Sequence, residues 1–152
     1  MATTVRYHFR QHFQIAAQEA FDWCTDFRPE DQALKGYINS QREITKIADD
    51  VIILKDTTHT AAGVVEKQKL VQLYPAQLSW VATHLSGPNK YSQFLYQISP
   101  YLKGGSLLDF TALHLEYDNK AEAEMLSARL CQVDSSAWKL LANAMAGELQ
   151  KK

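Results

Sequence analysis

From Asn119 to Lys152 there is no proline, and Leu126, Leu130, Val133, Ala137, Leu140, Leu141 and Ala144 recur at three- and four-residue spacing. That spacing is the period of one helical face, so the segment predicts a single long amphipathic helix. Asn119 with Glu122 three residues on resembles a capping box, and Lys151 and Lys152 sit where the helix dipole is negative. On this reading Ala137 and Ala144 lie near the middle of the inward stripe, with Trp138, Met145 and Asp134 on its flank. A helix with so long an apolar stripe needs a large apolar surface opposite it. The preceding stretch has to supply that surface.

That stretch is rich in period-two alternation. Val5, Tyr7, Phe9, Phe13 and Ile15 alternate with Arg6, His8, Arg10, His12 and Gln14, which predicts a strand with one buried face; His8 and His12 belong to its solvated row. From Ala16 the period lengthens: Ala17, Ala20, Phe21 and Cys24 predict a short helix. Pro29 and Gly36 bracket a second one over Glu30 to Lys35. Beyond Tyr37, six strands follow, at about Ile38 to Ala48, Val51 to His59, Val64 to Leu73, Leu78 to Ser86, Tyr91 to Pro100 and Ser106 to Tyr117. Their connections are short turn signals, as in an antiparallel meander. In the last strand Leu108, Phe110, Ala112 and His114 form one candidate inner face, but Leu107, Leu113, Leu115 and Tyr117 on the other side are nearly as apolar. A bulge or a covering partner would account for that second face.

A chain of 152 residues supports one core, and no linker or repeat divides it, so residues 1–152 are expected to form a single α+β domain. A formal net charge of -1 argues against a broad basic face for nucleic acid. No apolar run is long enough to span a membrane. Cys24 and Cys131 are too far apart in sequence to suggest a metal site, and two reduced thiols make the cytoplasm the default compartment. There is no Gly-rich phosphate loop, Walker pattern or metal constellation, so neither a cofactor nor a metal is expected.

A strand, two short helices, six antiparallel strands and a long C-terminal helix is an order of elements that resembles the helix-grip fold of the START and birch-pollen-allergen superfamily, also called SRPBCC. The run Ala16-Ala17-Gln18-Glu19-Ala20-Phe21-Asp22-Trp23-Cys24-Thr25-Asp26, the Gly104-Gly105-Ser106 turn and the final helix carry the likeness. The resemblance implies a seven-stranded curved sheet wrapped around the long helix, and an apolar cavity between them for lipids, polyketides, steroids or other hydrophobic molecules. It also brings in a branch of polyketide cyclase- and dehydratase-like enzymes and a class of protein-binding modules. Fold alone does not choose among them.

Hydrophobic ligand binding is the favoured expectation, with Trp80, Phe94, Tyr96, Phe110 and Trp138 as wall contacts and His84 or His114 as polar anchors. Asp56, Thr58, Glu66 and Asp109 are further polar candidates on strands. If Lys55, Lys67 and Lys69 face water, Asp56 and Glu66 face inward and could act as acid and base; a one-residue shift of the hairpin instead sets Asp56 opposite Lys67 as an exposed pair, the favoured arrangement. Two rival functions remain open: an enzyme using a cavity acid or base, with no assignable catalytic residue, and an interaction module or homodimer attached through Leu107, Leu113, Leu115 and Tyr117.

Overall fold

The computed structural model describes residues 2–34, 39–117 and 122–150. Strand β1 (Thr3–Phe13) is followed by helices α1 (Ala17–Cys24) and α2 (Glu30–Leu34). Strands β2 (Ser40–Ala48), β3 (Val51–Thr60), β4 (Gly63–Tyr74), β5 (Ser79–His84), β6 (Gln93–Pro100) and β7 (Ser106–Glu116) come next, and helix α3 (Ala123–Leu149) completes the order. All seven strands form one antiparallel sheet in the order β1-β7-β6-β5-β4-β3-β2. The chain zigzags from β2 to β7, and β1 closes onto β7.

The alternation in β1 sends Val5, Tyr7 and Phe13 into the core and leaves Arg6, His8, Arg10 and His12 outside. In β7 the buried face is Leu108, Phe110, Ala112 and His114, which resolves the ambiguity of that strand. Its pairing with β1 and β6 runs without a register shift, so no bulge explains the apolar outer row; Leu113 and Tyr117 are exposed there. The turn before β7 requires glycine. Gly105 has a φ of +75°, and a Cβ at that position would stand 2.1 Å from the carbonyl oxygen of Phe13. Ser106 then donates to the carbonyl of Ile15 at 2.8 Å, fixing the end of β7 against the chain entering α1.

Helix α3 lies against β1 and is tied along its length. Ser127 donates to the carbonyl of Arg6 at 3.2 Å, the Tyr7 hydroxyl donates to Asp134, and the Trp23 indole donates to Glu148 at 3.1 Å. Its buried face differs from the stripe expected from sequence. Leu126, Trp138, Leu141, Ala142 and Met145 are buried, whereas Val133 and Leu140 are 59% and 54% exposed. Trp138 and Met145, expected on the flank, are central. Trp138 and Met145 together bury more area than Val133 and Leu140 would, and the rotation that favours them wins. Glu122 stands at the N-cap position without a side-chain capping bond. Asn119, Lys151 and Lys152 lie outside the described residues, as do Lys35, Gly36, Tyr37 and Ile38 at the expected end of α2 and start of β2.

Candidate functional site

A cavity of about 70 Å3 opens between the concave face of the sheet and α3. Its apolar wall comes from Trp23 and Cys24 of α1, Phe27 after it, Leu54 of β3, Val71 of β4, Trp80 and Ala82 of β5, Tyr96 of β6, and Trp138 and Leu141 of α3. All three tryptophans of the chain therefore face one space. Trp80 and Tyr96 stack with centroids 4.7 Å apart and planes 4° from parallel, and Trp138 tilts over Tyr96 at 5.8 Å. Phe27 takes a φ of +52°, an uncommon backbone for a bulky residue, and adds its ring to the lining. The loop that carries it is held by Arg28, which donates to Glu148 at 2.9 Å through Nη2 and sits 5.3 Å over the Trp23 ring.

Charged groups complete the lining: Asp31 of α2, Arg42 of β2 and Lys69 of β4. Behind them lies Asp56, whose Oδ1 accepts from Arg42 Nε at 2.6 Å, and whose Oδ2 accepts from Arg42 Nη2 at 2.9 Å and from Gln32 at 3.0 Å. Strand register explains the meeting, because Arg42 and Asp56 are direct cross-strand partners and so share a face. The same hairpin register that pairs Asp56 with Lys67 was foreseen, but the pair is not exposed: Asp56 is 6% accessible and its charge goes to Arg42. Glu66 lies outside the site, on the solvent side, with Lys55 at 3.5 Å. A buried ion pair is costly to desolvate and gives little net stability, so its presence at a cavity is a reason to look for function.

Of the wall residues expected from sequence, Trp80, Tyr96 and Trp138 line the cavity. Phe94 and Phe110 stand behind it in a continuous ring cluster, with Phe110 5.1 Å from Tyr96 and 5.9 Å from Phe94. Neither histidine reaches the lining. His84 is buried against Phe94, with Nδ1 3.1 Å from Asn89 Oδ1; burial first, and then the charge of Lys69, push its pKa down to about 4. His114 sits on the inner face of β7 with Nε2 3.1 Å from Glu116, and its Nδ1 is buried without a partner among the described residues. Asp109 is on the outer face, accepting from Arg10 at 2.8 Å and bonded to His8 at 3.0 Å, and these partners hold its pKa below the usual carboxylate range against the opposing effect of desolvation. Thr58 reaches only Ser40, at 3.4 Å.

Trp23, Phe27, Asp31, Arg42 and Lys69 were not anticipated. The first two could have been found from the aromatic content of α1 and the loop after it, but the charged three depend on register and on helix placement, which period alone does not give.

A second recess, of about 280 Å3, lies where β1, β7 and the start of β6 meet and is lined by Thr4, Val5, Arg6, Tyr91, Gln93, Leu113, His114 and Leu115, so His114 reaches this recess and not the smaller cavity. It is larger but is lined mainly by solvent-facing side chains. The smaller cavity is the one where rings and buried polar groups converge.

Solved structures share this architecture. SA2116 from Staphylococcus aureus, a protein of unknown function, superposes with a TM-score of 0.75 over 98% of both chains at 9% identity. Ara h 8.0201 gives 0.70 at 10% identity, covering 95% of this chain and 99% of that one. The chain has the helix-grip fold. A third helix-grip relative in shape, the Zhui aromatase/cyclase from Streptomyces sp. R1128, gives 0.66 at 10% identity, over 98% of this chain and 95% of that one. These are SRPBCC-type structures, so the architecture implied by the order of elements is the observed one. No protein-family model matches the sequence, and no curated protein matches it significantly. Among the described residues no helix is long and apolar enough to cross a membrane.

Proposed function

We propose that this helix-grip domain binds a hydrophobic small molecule whose leading end enters the cavity between the sheet and α3. The observation that carries this reading is the convergence of Trp23, Phe27, Trp80, Tyr96 and Trp138 on one opening. Side chains that merely filled the sheet would have closed it. At about 70 Å3 the cavity has room for on the order of two waters at liquid volume, well under the roughly 300–1,000 Å3 of pockets that enclose a drug-sized ligand. The ligand is therefore a slender or planar one that leaves part of itself at the mouth, or one that parts the Trp80–Tyr96 stack on entry. Native mass spectrometry of the purified protein, followed by denaturation and identification of released compounds, tests this. A stoichiometric apolar compound supports it, and an empty protein that also fails to bind a panel of aromatic and acyl probes rejects it.

A cyclase- or dehydratase-like activity would need an acid or base at the ligand. His84 and His114 are outside this lining and Asp56 is committed to Arg42 and Gln32, which leaves Asp31 and Lys69 as the ionisable groups there that such a reaction would have to use; the ring wall favours binding as the first reading. The outer recess supports a second one. Leu113 and Leu115 line it, and a second copy of the chain covering that face would remove exposed apolar surface from water.

A further inference from the structure

At about 70 Å3 the cavity has to widen before a ring can pass fully into it, and its walls differ in what it takes to move them. Trp23 and Trp138 stand on helices and Trp80 and Tyr96 on paired strands, whereas Phe27 is carried by the loop of residues 25–29 between α1 and α2. Thr25 is fixed at one end of that loop, its N–H and its Oγ1 both donating to the Phe21 carbonyl, at 3.0 and 2.7 Å. At the other end the carbonyls of Arg28 and Pro29 accept from the N–H groups of Asp31 and Gln32, each at 3.1 Å. Between these anchors neither the N–H nor the carbonyl of Phe27 is hydrogen-bonded among the described residues.

What holds the Phe27 ring inward is side-chain chemistry at the surface. Arg28, next in sequence, forms a fork with Glu148 near the end of α3: Nη1 donates to Oε1 and Nη2 to Oε2, the latter at 2.9 Å. Glu148 Oε2 also accepts from the Trp23 indole at 3.1 Å, and the guanidinium lies 5.3 Å over that ring. Two charge pairs thus border the cavity, and they differ in what parting them costs. The Arg42 and Asp56 side chains are 5% and 8% exposed, so separating them strands two buried charges. Those of Arg28 and Glu148 are 33% and 43% exposed, so water takes over their hydrogen bonds, and the cost is that of a surface pair. The φ of +52° at Phe27 acts in the same direction, because a bulky residue is relieved of strain on leaving that region. The side of the cavity that carries Phe27 is therefore the side that yields.

We propose that Phe27 gates the cavity and that the Arg28–Glu148 pair latches it: the ligand passes when the pair parts and the loop swings the ring outward about Thr25 and Pro29. This rests on the cavity being a ligand site, but its test needs no ligand, so the two claims fail separately. Cys24 supplies the readout, because it lines the cavity and is half-buried. Cys131→Ser leaves it as the sole thiol, and its alkylation by iodoacetamide is followed by mass spectrometry in that background. Glu148→Gln keeps an acceptor for the Trp23 indole and removes the charge, and should quicken alkylation about three- to five-fold. Raising the salt to about 1 M should quicken it about two-fold in the Cys131→Ser protein and leave Glu148→Gln unmoved. Phe27→Ala, which takes the ring out of the wall, should quicken it at least as much as Glu148→Gln. Gly63→Ala, strained in the turn between β3 and β4, should leave the rate unchanged, and thermal melts confirm that each variant folds. Rates unmoved by Glu148→Gln and by salt overturn the latch, and a rate unmoved by Phe27→Ala overturns the gate. Equal quickening by Gly63→Ala overturns both, since Cys24 then reacts through global unfolding. Failure of aromatic and acyl probes to bind, with alkylation as expected, overturns the ligand reading and leaves the moving loop.

Discussion

Arg42 and Asp56 face each other across β2 and β3 and are joined by two parallel hydrogen bonds, Nε to Oδ1 at 2.6 Å and Nη2 to Oδ2 at 2.9 Å. Both side chains are more than nine-tenths covered. Desolvating two charges offsets most of their attraction, so the pair is weakly stabilising as a pair, but each member depends on the other. Arg42→Leu should cost about 3–5 kcal/mol in urea unfolding because it leaves Asp56 charged and covered. Arg42→Leu/Asp56→Leu should recover most of that loss. A single-variant cost below about 1 kcal/mol would mean that the pair behaves as a surface one.

His84 gives the fold a pH dependence of definite sign. Its pKa is near 4 in the folded protein against 6.5 ordinarily, so between these values the unfolded chain binds the proton and the folded one does not. Stability therefore falls as pH drops through that window and levels off, for this group, below about 4. Between pH 7 and pH 5 the contribution amounts to about 2 kcal/mol by linkage. His84→Gln should flatten the stability profile over that range by a similar amount, as followed by denaturant titrations at half-unit steps. An unchanged slope would show that His84 is solvated and titrates normally.

Gly105 is the least replaceable turn residue. A Cβ there meets the Phe13 carbonyl oxygen at 2.1 Å, a backbone atom that cannot swing away, and the positive φ adds strain of its own. Gly105→Ala should lower stability by more than about 1–3 kcal/mol. Gly63→Ala shares the positive φ without any atom within 4 Å, and serves as the control with the smaller loss.

The outer recess makes a separate claim. If a second copy covers Leu113 and Leu115, light scattering of the native protein gives the dimer mass and Leu113→Asp gives half of it, with the fold intact because Leu113 is already 41% exposed. A monomer mass for the native protein removes that reading.

Much of this molecule was legible because its local signals are strong. Period two in β1 and β7, punctuation at Gly63, Pro75 and Gly105, and a proline-free amphipathic run are properties of neighbouring residues, and they suffice to order the elements. Rotation of α3 was not legible, because Val133, Ala137 and Leu140 form an apolar flank beside the buried arc, and only the sheet decides which flank it meets. Asp56 illustrates the other limit. Parity allowed it to face inward and register allowed it to face Lys67, and both hold; its true partner, Arg42, comes from the adjoining hairpin, whose pairing a pattern of alternation does not encode. The ring wall was half found for a related reason: Phe94 and Phe110 have the right parity, but Trp80, Tyr96 and Trp138 stand between them and the opening.

The most direct test of the account is to follow the three indole N–H resonances in 1H–15N spectra while the released ligand, or an aromatic probe from the panel, is titrated. Trp23, Trp80 and Trp138 all line the cavity, so all three should shift together and saturate at one equivalent, with the amides of Leu113 and Leu115 unmoved. Shifts at Leu113 and Leu115 with still indoles would contradict the account and move the binding site to the outside of the sheet.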